Sequence, residues 1–199
     1  MNQDTVNHQA FVTLQAGGLV AIPTETVWGL ACDPFNAAAV ERFYQVKGRD
    51  PSKPSQVLCA SREHARTLAA LHENDHLRFE RLSARFFPGS LTVVVPAVSS
   101  VPIWVAPHGK VGVRVPDHPL TLALLQACGG YLLASSLNRS QQPPALSQQQ
   151  ALELHELYDV LLPGEISHGQ SSTVYDFEKH QILRQGPISL QDIEEALNA

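Results

Sequence analysis

Short apolar runs alternate along this chain with stretches whose apolar residues recur at helical spacing, the pattern of strands interleaved with helices. Asp4 or Thr5 is placed to cap a first helix carrying Val6, Phe11 and Leu14, closed by Gly17-Gly18. Leu19 to Ile22 then reads as a buried strand. Asn36 caps a second helix with Val40, Phe43 and Tyr44 on one face, and Val57 to Ala60 is another buried strand. Ser61 starts a helix to about Leu71, and Asp75 starts one that ends near Phe87. Leu91 to Val95 and Val111 to Val115 are β-rich. Pro119 opens a helix to Cys128, stopped by Gly129-Gly130, before a strand from Tyr131 to Ser135. A polar linker, Gln141 to Ser147, leads to a helix from Gln148 to about Leu157. Thr173 to Tyr175 and Ile182 to Arg184 are late strands, and Ser189 caps the last helix. This order predicts one α/β domain with a mixed sheet over residues 1–199.

Composition narrows the function classes. With 199 residues, 44% of them hydrophobic, the chain is long enough for one sizeable core. A formal net charge of -5 argues against a general nucleic-acid coat or a membrane-surface binder. No apolar run approaches the ~20 residues of a membrane span, and Met1-Asn2-Gln3-Asp4 lacks the layout of a signal peptide. Cys32, Cys59 and Cys128 are odd in number and widely spaced, as expected of reduced, mostly buried thiols in a cytoplasmic protein. In that compartment Asn138-Arg139-Ser140 is no glycosylation site.

Against this acidic background, Lys47, Arg49 and Lys53 concentrate cations in a block broken by Gly48, Pro51 and Pro54, predicting a rigid, exposed loop. Taken alone, the block fits either a solvated turn or a polyphosphate site, where Lys supplies a point charge and Arg a planar fork. Small polar clusters recur at strand ends: Pro23 to Leu30, Ser135 to Asn138, Ser171 to Val174, and Leu183 to Gly186. Arg114 stands inside an apolar strand, where an unpaired charge is costly. Each cluster alone reads as a cap or an internal ion pair; together they point to one ligand site at strand ends. His72-Glu73-Asn74-Asp75-His76 matches the zinc-protease pattern. That chemistry needs both histidines on one continuous helix, whereas Asn74-Asp75 predicts a helix start between them, and no metal site is expected. Walker and G-x-G-x-x-G loops are lacking.

Six segments in order carry a resemblance: Pro23-Thr24-Glu25-Thr26-Val27-Trp28-Gly29-Leu30, Lys47-x-Arg49, Pro88-Gly89-Ser90-Leu91-Thr92, Arg114 to Pro119, Ser136-x-Asn138 and Ser172-Thr173-Val174. The chain resembles the YrdC-like threonylcarbamoyl-AMP synthases of TsaC type, from about Ile22 to Gly186. The resemblance implies a twisted sheet with a deep, positively charged cleft. It implies conversion of L-threonine, bicarbonate and ATP, with Mg2+, to threonylcarbamoyl-adenylate and pyrophosphate. The product feeds tRNA threonylcarbamoyladenosine synthesis with partner proteins of that pathway. Two segments depart from the family. Its usual Ser-Ala-Asn-Leu-Ser-Gly is Ser136-Leu137-Asn138-Arg139-Ser140-Gln141 here, and Leu58 stands where longer relatives carry a histidine near the threonine. The chain also ends soon after the last motif, so no extra C-terminal domain is expected.

Carried over residue by residue, the resemblance assigns Lys47 and Arg49 to the triphosphate as the catalytic pair, and Arg184 near the nucleotide. Ser136 and Asn138 bond ATP with backbone around Ala134, and Lys53 and Lys110 stand at the cleft edge. Arg114 holds the threonine carboxylate, and Thr26 and Ser172 meet the amino acid's polar groups. Two other readings stay open: a module binding double-stranded RNA or tRNA, weakly and electrostatically, and a related enzyme forming a carbamoyl-adenylate from carbamoyl phosphate.

Overall fold

A computed structural model describes residues 3–166 and 169–199. Among the described residues the strands are β1 (Val20–Ile22), β2 (Gly29–Cys32), β3 (Gln56–Cys59), β4 (Leu91–Pro96), β5 (Lys110–Arg114), β6 (Tyr131–Ser136), β7 (Val160–Leu161), β8 (Thr173–Asp176) and β9 (Gln181–Arg184). They form one nine-stranded sheet in the order β7-β1-β2-β6-β3-β5-β4-β8-β9. The sheet is mixed as expected: β1/β7, β3/β5 and β4/β8 are parallel, the other neighbours antiparallel.

The helices are α1 (Gln3–Gln15), α2 (Ala37–Lys47), α3 (Arg62–Thr67), α4 (Asp75–Phe86), α5 (Pro119–Ala127), α6 (Gln148–Glu153) and α7 (Leu190–Asn198). Asn36 and Ser61 cap α2 and α3 through their side chains, and Ser189 closes a capping box with Asp192 on α7. Four expectations need correction. Helix α1 begins by Gln3, so Asp4 and Thr5 lie inside it. Helix α3 stops at Thr67 rather than Leu71, because Ala69 bridges to Ala97 and the Ala70 N–H goes to the Pro96 carbonyl. The stretch from Gln148 to Leu157 is broken into α6 and a 3₁₀ turn. Strands β2 and β7 were not anticipated: β2 opens on Gly29 within the cluster from Pro23 to Leu30 that follows β1, and β7 is only two residues long.

The two sheet faces are covered unequally. On one, Val57, Cys59, Val93, Val95, Val111, Val113 and Tyr175 pack beneath α2, α3, α4 and α7, with Phe43, Phe79 and Leu82 fully buried. On the other, α1 and α5 cover Val20, Ile22, Ala31, Leu58 and Leu132 through Val6, Ala10, Leu14, Leu124 and Leu125. Those two helices reach only the β1–β2–β6–β3 half. Alternation along the remaining strands leaves Thr92, Val94, Gly112 and Arg114 on the same face without a helix over them.

Candidate functional site

The uncovered half of that face is the floor of a cleft of about 400 Å³. Gln56, Gly112, Thr92, Val94 and Val174 form its floor, and Ala134 belongs both to the cleft and to the apolar cluster under α1 and α5. The site therefore lies across the sheet, not only at the strand ends where the sequence pattern looked for it.

Arg114 ends β5 at the inner wall and is 2% exposed. Its Nη2 donates to Glu25 Oε1 at 2.5 Å and to Thr26 Oγ1 at 2.9 Å, and Nε donates to the Gly89 carbonyl at 3.0 Å. These bonds use Nε and Nη2, so among the described residues Nη1 stays out of them. Glu25 also accepts from Ser90 Oγ and from the Asp117 N–H. A buried pair held this completely is the arrangement in which a buried charge is tolerable. The sequence reading passed over Glu25; an unpaired arginine inside an apolar strand is itself the signal that a carboxylate must be near. Thr24 accepts from the Thr26 and Val27 N–H groups, shaping the turn that presents Thr26 to Arg114.

On the opposite wall, Arg184 donates through Nε and Nη2 to the Ser172 carbonyl and through Nη2 to Ser172 Oγ. Arg49, on the loop after α2, donates to the Lys53 and Pro54 carbonyls. Among the described residues neither arginine forms an ion pair with a carboxylate. Partial desolvation, with the Arg114 and Arg49 charges nearby, lowers the pKa of Arg184. Lys110 also lines the cleft, but its ammonium meets Glu178 at 2.6 Å and Asp176 at 3.3 Å, and the Glu178 carboxylate foremost raises its pKa. Ser172 Oγ and Thr92 Oγ1 lie 2.9 Å apart on the floor.

Lys47 is the principal correction. It is the last residue of α2, not part of an exposed loop, and it is 3% exposed and absent from the cleft wall. Gly48 follows it in the left-handed conformation, φ 59°, and turns the chain away. The Lys47 ammonium donates to the Ser136 carbonyl, and at 2.8 and 2.9 Å to the carbonyl and Oδ1 of Asn138; its own carbonyl accepts the Ser140 N–H. Burial, with Arg49 close by, pushes its pKa down to about 7. Lys47 thus fastens the turn after β6 from within. Asn138 belongs to the same turn, accepting from Ser136 Oγ and donating Nδ2 to the Gln142 carbonyl, and does not line the cleft. Ser136 and Ala134 do line it. Lys53 is exposed and off the wall.

The departures from the family pattern also find places. Leu137 is fully buried in the core under α2, pointing away from the cleft. Gln141 keeps a left-handed backbone, φ 69°, at the position where the family's usual sequence has glycine. Leu58 packs beneath α5 and takes no part in the cleft. His72 lies outside α4, His76 inside it, and Arg66 Nη2 bonds the His76 ring at 2.5 Å.

A family model covering Sua5, YciO and YrdC proteins, described as "Telomere recombination", matches residues 12–186. The chain belongs to the Sua5/YciO/YrdC family. Among its relatives is the threonylcarbamoyl-AMP synthase of Alkalilimnicola ehrlichii, 39% identical over 183 residues, covering 88% of this chain and 93% of the relative. That of Halorhodospira halophila is 41% identical over 168 residues, covering 81% and 83%. P. abyssi Sua5 complexed with L-threonine superposes with a TM-score of 0.88 at 31% identity, over 98% of this chain and 58% of that one. This chain therefore spans under three fifths of the length of that Sua5. E. coli YciO, at 22% identity and a TM-score of 0.82, covers 96% of this chain and 94% of its own and shares the fold. No helix among the described residues is long and apolar enough to cross a membrane.

Proposed function

We propose that this chain is a threonylcarbamoyl-AMP synthase, joining L-threonine, bicarbonate and ATP into threonylcarbamoyl-adenylate and releasing pyrophosphate. The observation that carries this reading is the division of charge in the cleft. At the inner wall a buried arginine is already neutralised by Glu25 and offers its remaining N–H groups beside the Thr26 hydroxyl. At the outer wall two arginines have no carboxylate partner among the described residues. The first suits the carboxylate and hydroxyl of one amino acid; the second suits a polyanion.

In this reading Arg114 holds the threonine carboxylate, with Thr26 and Ser172 facing the amino acid's polar groups. Arg49 and Arg184 hold the triphosphate, and Ala134 and Ser136 border the nucleotide. Lys47 and Asn138 shape the turn that carries Ser136, and Lys110 and Lys53 add only a weak field at the rim. Mg2+ enters as part of the substrate MgATP: Glu25 and Asp176, the carboxylates nearest the cleft, are already engaged by cations and backbone N–H groups. Such ions are commonly held by substrate phosphates.

The chemistry needs no covalent enzyme intermediate. The threonine nitrogen bonds to the bicarbonate carbon, and one amine proton leaves with hydroxide as water. An oxygen of the resulting carbamate attacks the α-phosphorus, and the bond to the β,γ-phosphates breaks to give pyrophosphate. Catalysis is then positioning plus neutralisation of charge on the phosphates. The test is pyrophosphate release with ATP and Mg2+, omitting threonine or bicarbonate in turn. Release should require both, and equal release without either one would sink the reading. Carbamoyl phosphate substituting for both would favour the carbamoyl-transfer alternative.

A further inference from the structure

Thr92 and Gln56 on the cleft floor have no role in the assignments above, and the hydrogen bonds that reach them have a direction. Arg184 Nη2 donates to Ser172 Oγ at 3.1 Å, Ser172 Oγ lies 2.9 Å from Thr92 Oγ1, and Thr92 Oγ1 donates to Gln56 Oε1 at 2.5 Å. A guanidinium N–H only donates. Ser172 accepts from Arg184, and because Thr92 gives its one proton to Gln56, the bond between the two hydroxyls uses the Ser172 proton. Every donor points from β9 toward β3. The Gln56 amide turns its oxygen toward Thr92 and Nε2 to the other side, and no hydrogen bond among the described residues uses that Nε2. Gln56 is half-buried and lines the cleft.

Beside Gln56 the floor is bare backbone, with no room for a side chain to rise from it without pressing on Thr92. Gly112 is its neighbour across the β3/β5 pairing, and a Cβ there would lie 3.2 Å from Thr92 Cγ2 and 3.6 Å from Gln56 Cβ. The Gly112 backbone is not left-handed, so the glycine supplies space and not a turn. Arg114 stands two residues further along the same face of β5, and Ala134 is directly paired with Gln56 on β6. Gln56 and Gly112 thus sit between the wall assigned to the amino acid and the wall assigned to the nucleotide.

We propose that Gln56 and the bare floor at Gly112 form the subsite for the one-carbon anion, bicarbonate and then the carbamate made from it. Gln56 Nε2 donates to one of its oxygens, and Thr92 is a positioning residue that fixes the amide. This inference rests on the synthase reading above, since that reaction requires a single carbon between the amine and the α-phosphate. A neutral amide suits the role: it orients a small anion without holding it so tightly that the carbamate oxygen is withheld from phosphorus.

The test is pyrophosphate release in carbon-dioxide-depleted buffer, with bicarbonate added back and KM measured for each substrate. Gln56→Leu should raise the KM for bicarbonate by at least about tenfold, the cost of one hydrogen bond to a charged group, with the KM values for threonine and ATP within about twofold of wild type. Thr92→Val should raise the bicarbonate KM by about three- to tenfold, and Thr92→Ser, which keeps the hydroxyl, should return it to within about twofold. Gly112→Ala, whose methyl presses on Thr92 and raises the floor beside Gln56, provides an independent variant should Gln56→Leu fold poorly, and it too should raise the bicarbonate KM selectively. An unchanged bicarbonate KM in Gln56→Leu or Gly112→Ala, or an equal rise for ATP, overturns the subsite while leaving the synthase reading intact. Wild-type release that needs no bicarbonate overturns both, so the two failures are distinguishable.

Discussion

Leu58 and Arg114 are register partners on adjacent strands and face the same side of one sheet, yet they belong to different kinds of structure. Leu58 lies under α5 among Leu124, Leu132 and Ala134. Arg114, one strand over, lies where the helical cover ends, with Glu25 as its counter-ion. The covered half of this face is stabilised by excluding water from apolar surface, at about 1.5–3 kcal/mol for each large side chain buried. The open half supplies positioned donors instead, and a polar group there is tolerable only because its neighbours satisfy it. One sheet provides both because period-two alternation decides the face and the helices decide which part of that face stays dry.

The contrast is broken most severely by stranding a charge. Glu25→Ala leaves the Arg114 guanidinium buried without a partner and should cost about 3–5 kcal/mol in urea unfolding; the double variant with Arg114→Met should recover a large part of that loss while abolishing threonine-dependent turnover. Leu58→Ala, in the covered half, should cost a comparable 2–5 kcal/mol or so. At a temperature where it remains folded, however, its KM values for all substrates should stay within about twofold. A Leu58→Ala variant with a selectively impaired KM would mean that the two halves are not separable.

Much of the covered half was legible in the sequence. Val57-Leu58-Cys59, Tyr131 to Ser135 and the helix starting at Pro119 announce themselves by apolar runs and a helix-opening proline, because burial selects the residue type at each position. The open half was legible only where a charge is improbable, as at Arg114, or where the family resemblance spoke. Gln56, Thr92 and Gly112 lie in strand interiors rather than at the strand ends where polar clusters stand out, yet a signal exists: in Lys110-Val111-Gly112-Val113-Arg114 every second residue fails to be apolar, as on a strand whose second face lacks cover. Lys47 was misplaced for a different reason. A lysine at a helix C-terminus next to a glycine looks solvated, and nothing local records that the turn after β6 folds over it.

In the outer wall the expected effect is large for substrate and small for the fold. Arg49→Ala or Arg184→Ala removes a cation without a carboxylate partner among the described residues, so each should raise the KM for ATP by roughly 10- to 150-fold, corresponding to about 1.5–3 kcal/mol for a charge-assisted bond. Unfolding free energies should move by less than about 1 kcal/mol, as for surface substitutions generally. An ATP KM that stays unchanged in both variants would return the loop after α2 to a solvated turn.

Lys47 yields a pH signature. Its folded pKa is lowered to about 7 by burial, whereas in the unfolded chain a lysine keeps its proton to about pH 10.4. Between those values the unfolded state binds more protons, so stability rises with pH across this window by at most about 1.4 kcal/mol per pH unit; below pH 7 both states are charged and the dependence disappears. Comparing urea unfolding of wild type and Lys47→Met from pH 6 to 10 isolates the contribution. A difference that is flat with pH would mean that the three acceptors around the ammonium fully offset its desolvation.

The turn that Lys47 fastens stores a smaller cost at Gln141, whose left-handed backbone burdens any residue with a Cβ. Gln141→Gly should raise stability by about 1 kcal/mol and leave the ATP KM unchanged, since the backbone already has the glycine conformation. A loss of stability would show that the Gln141 side chain contributes more than its backbone costs.

The smallest effect tests whether the cleft responds to cations present or to cations uncompensated. Lys110 lines the wall, but Glu178 holds its ammonium at 2.6 Å and is itself 45% exposed. Glu178 does not line the cleft, so replacing it touches no substrate directly. Glu178→Gln removes one negative charge from the rim and leaves the Lys110 charge less neutralised toward the phosphates. An exposed pair of this kind is worth about 0.2–1 kcal/mol, so the ATP KM should fall, by roughly two- to fivefold at low ionic strength. The gain should shrink toward nothing near 1 M salt, where the screening length is only about 3 Å. Applied to Arg49→Ala, the same titration should leave most of that larger defect in place, because a contact bond is screened less than a field across the rim. If Glu178→Gln instead raised the ATP KM, the carboxylate would be orienting Lys110 for the triphosphate, and the pairing at the rim would be part of the site itself.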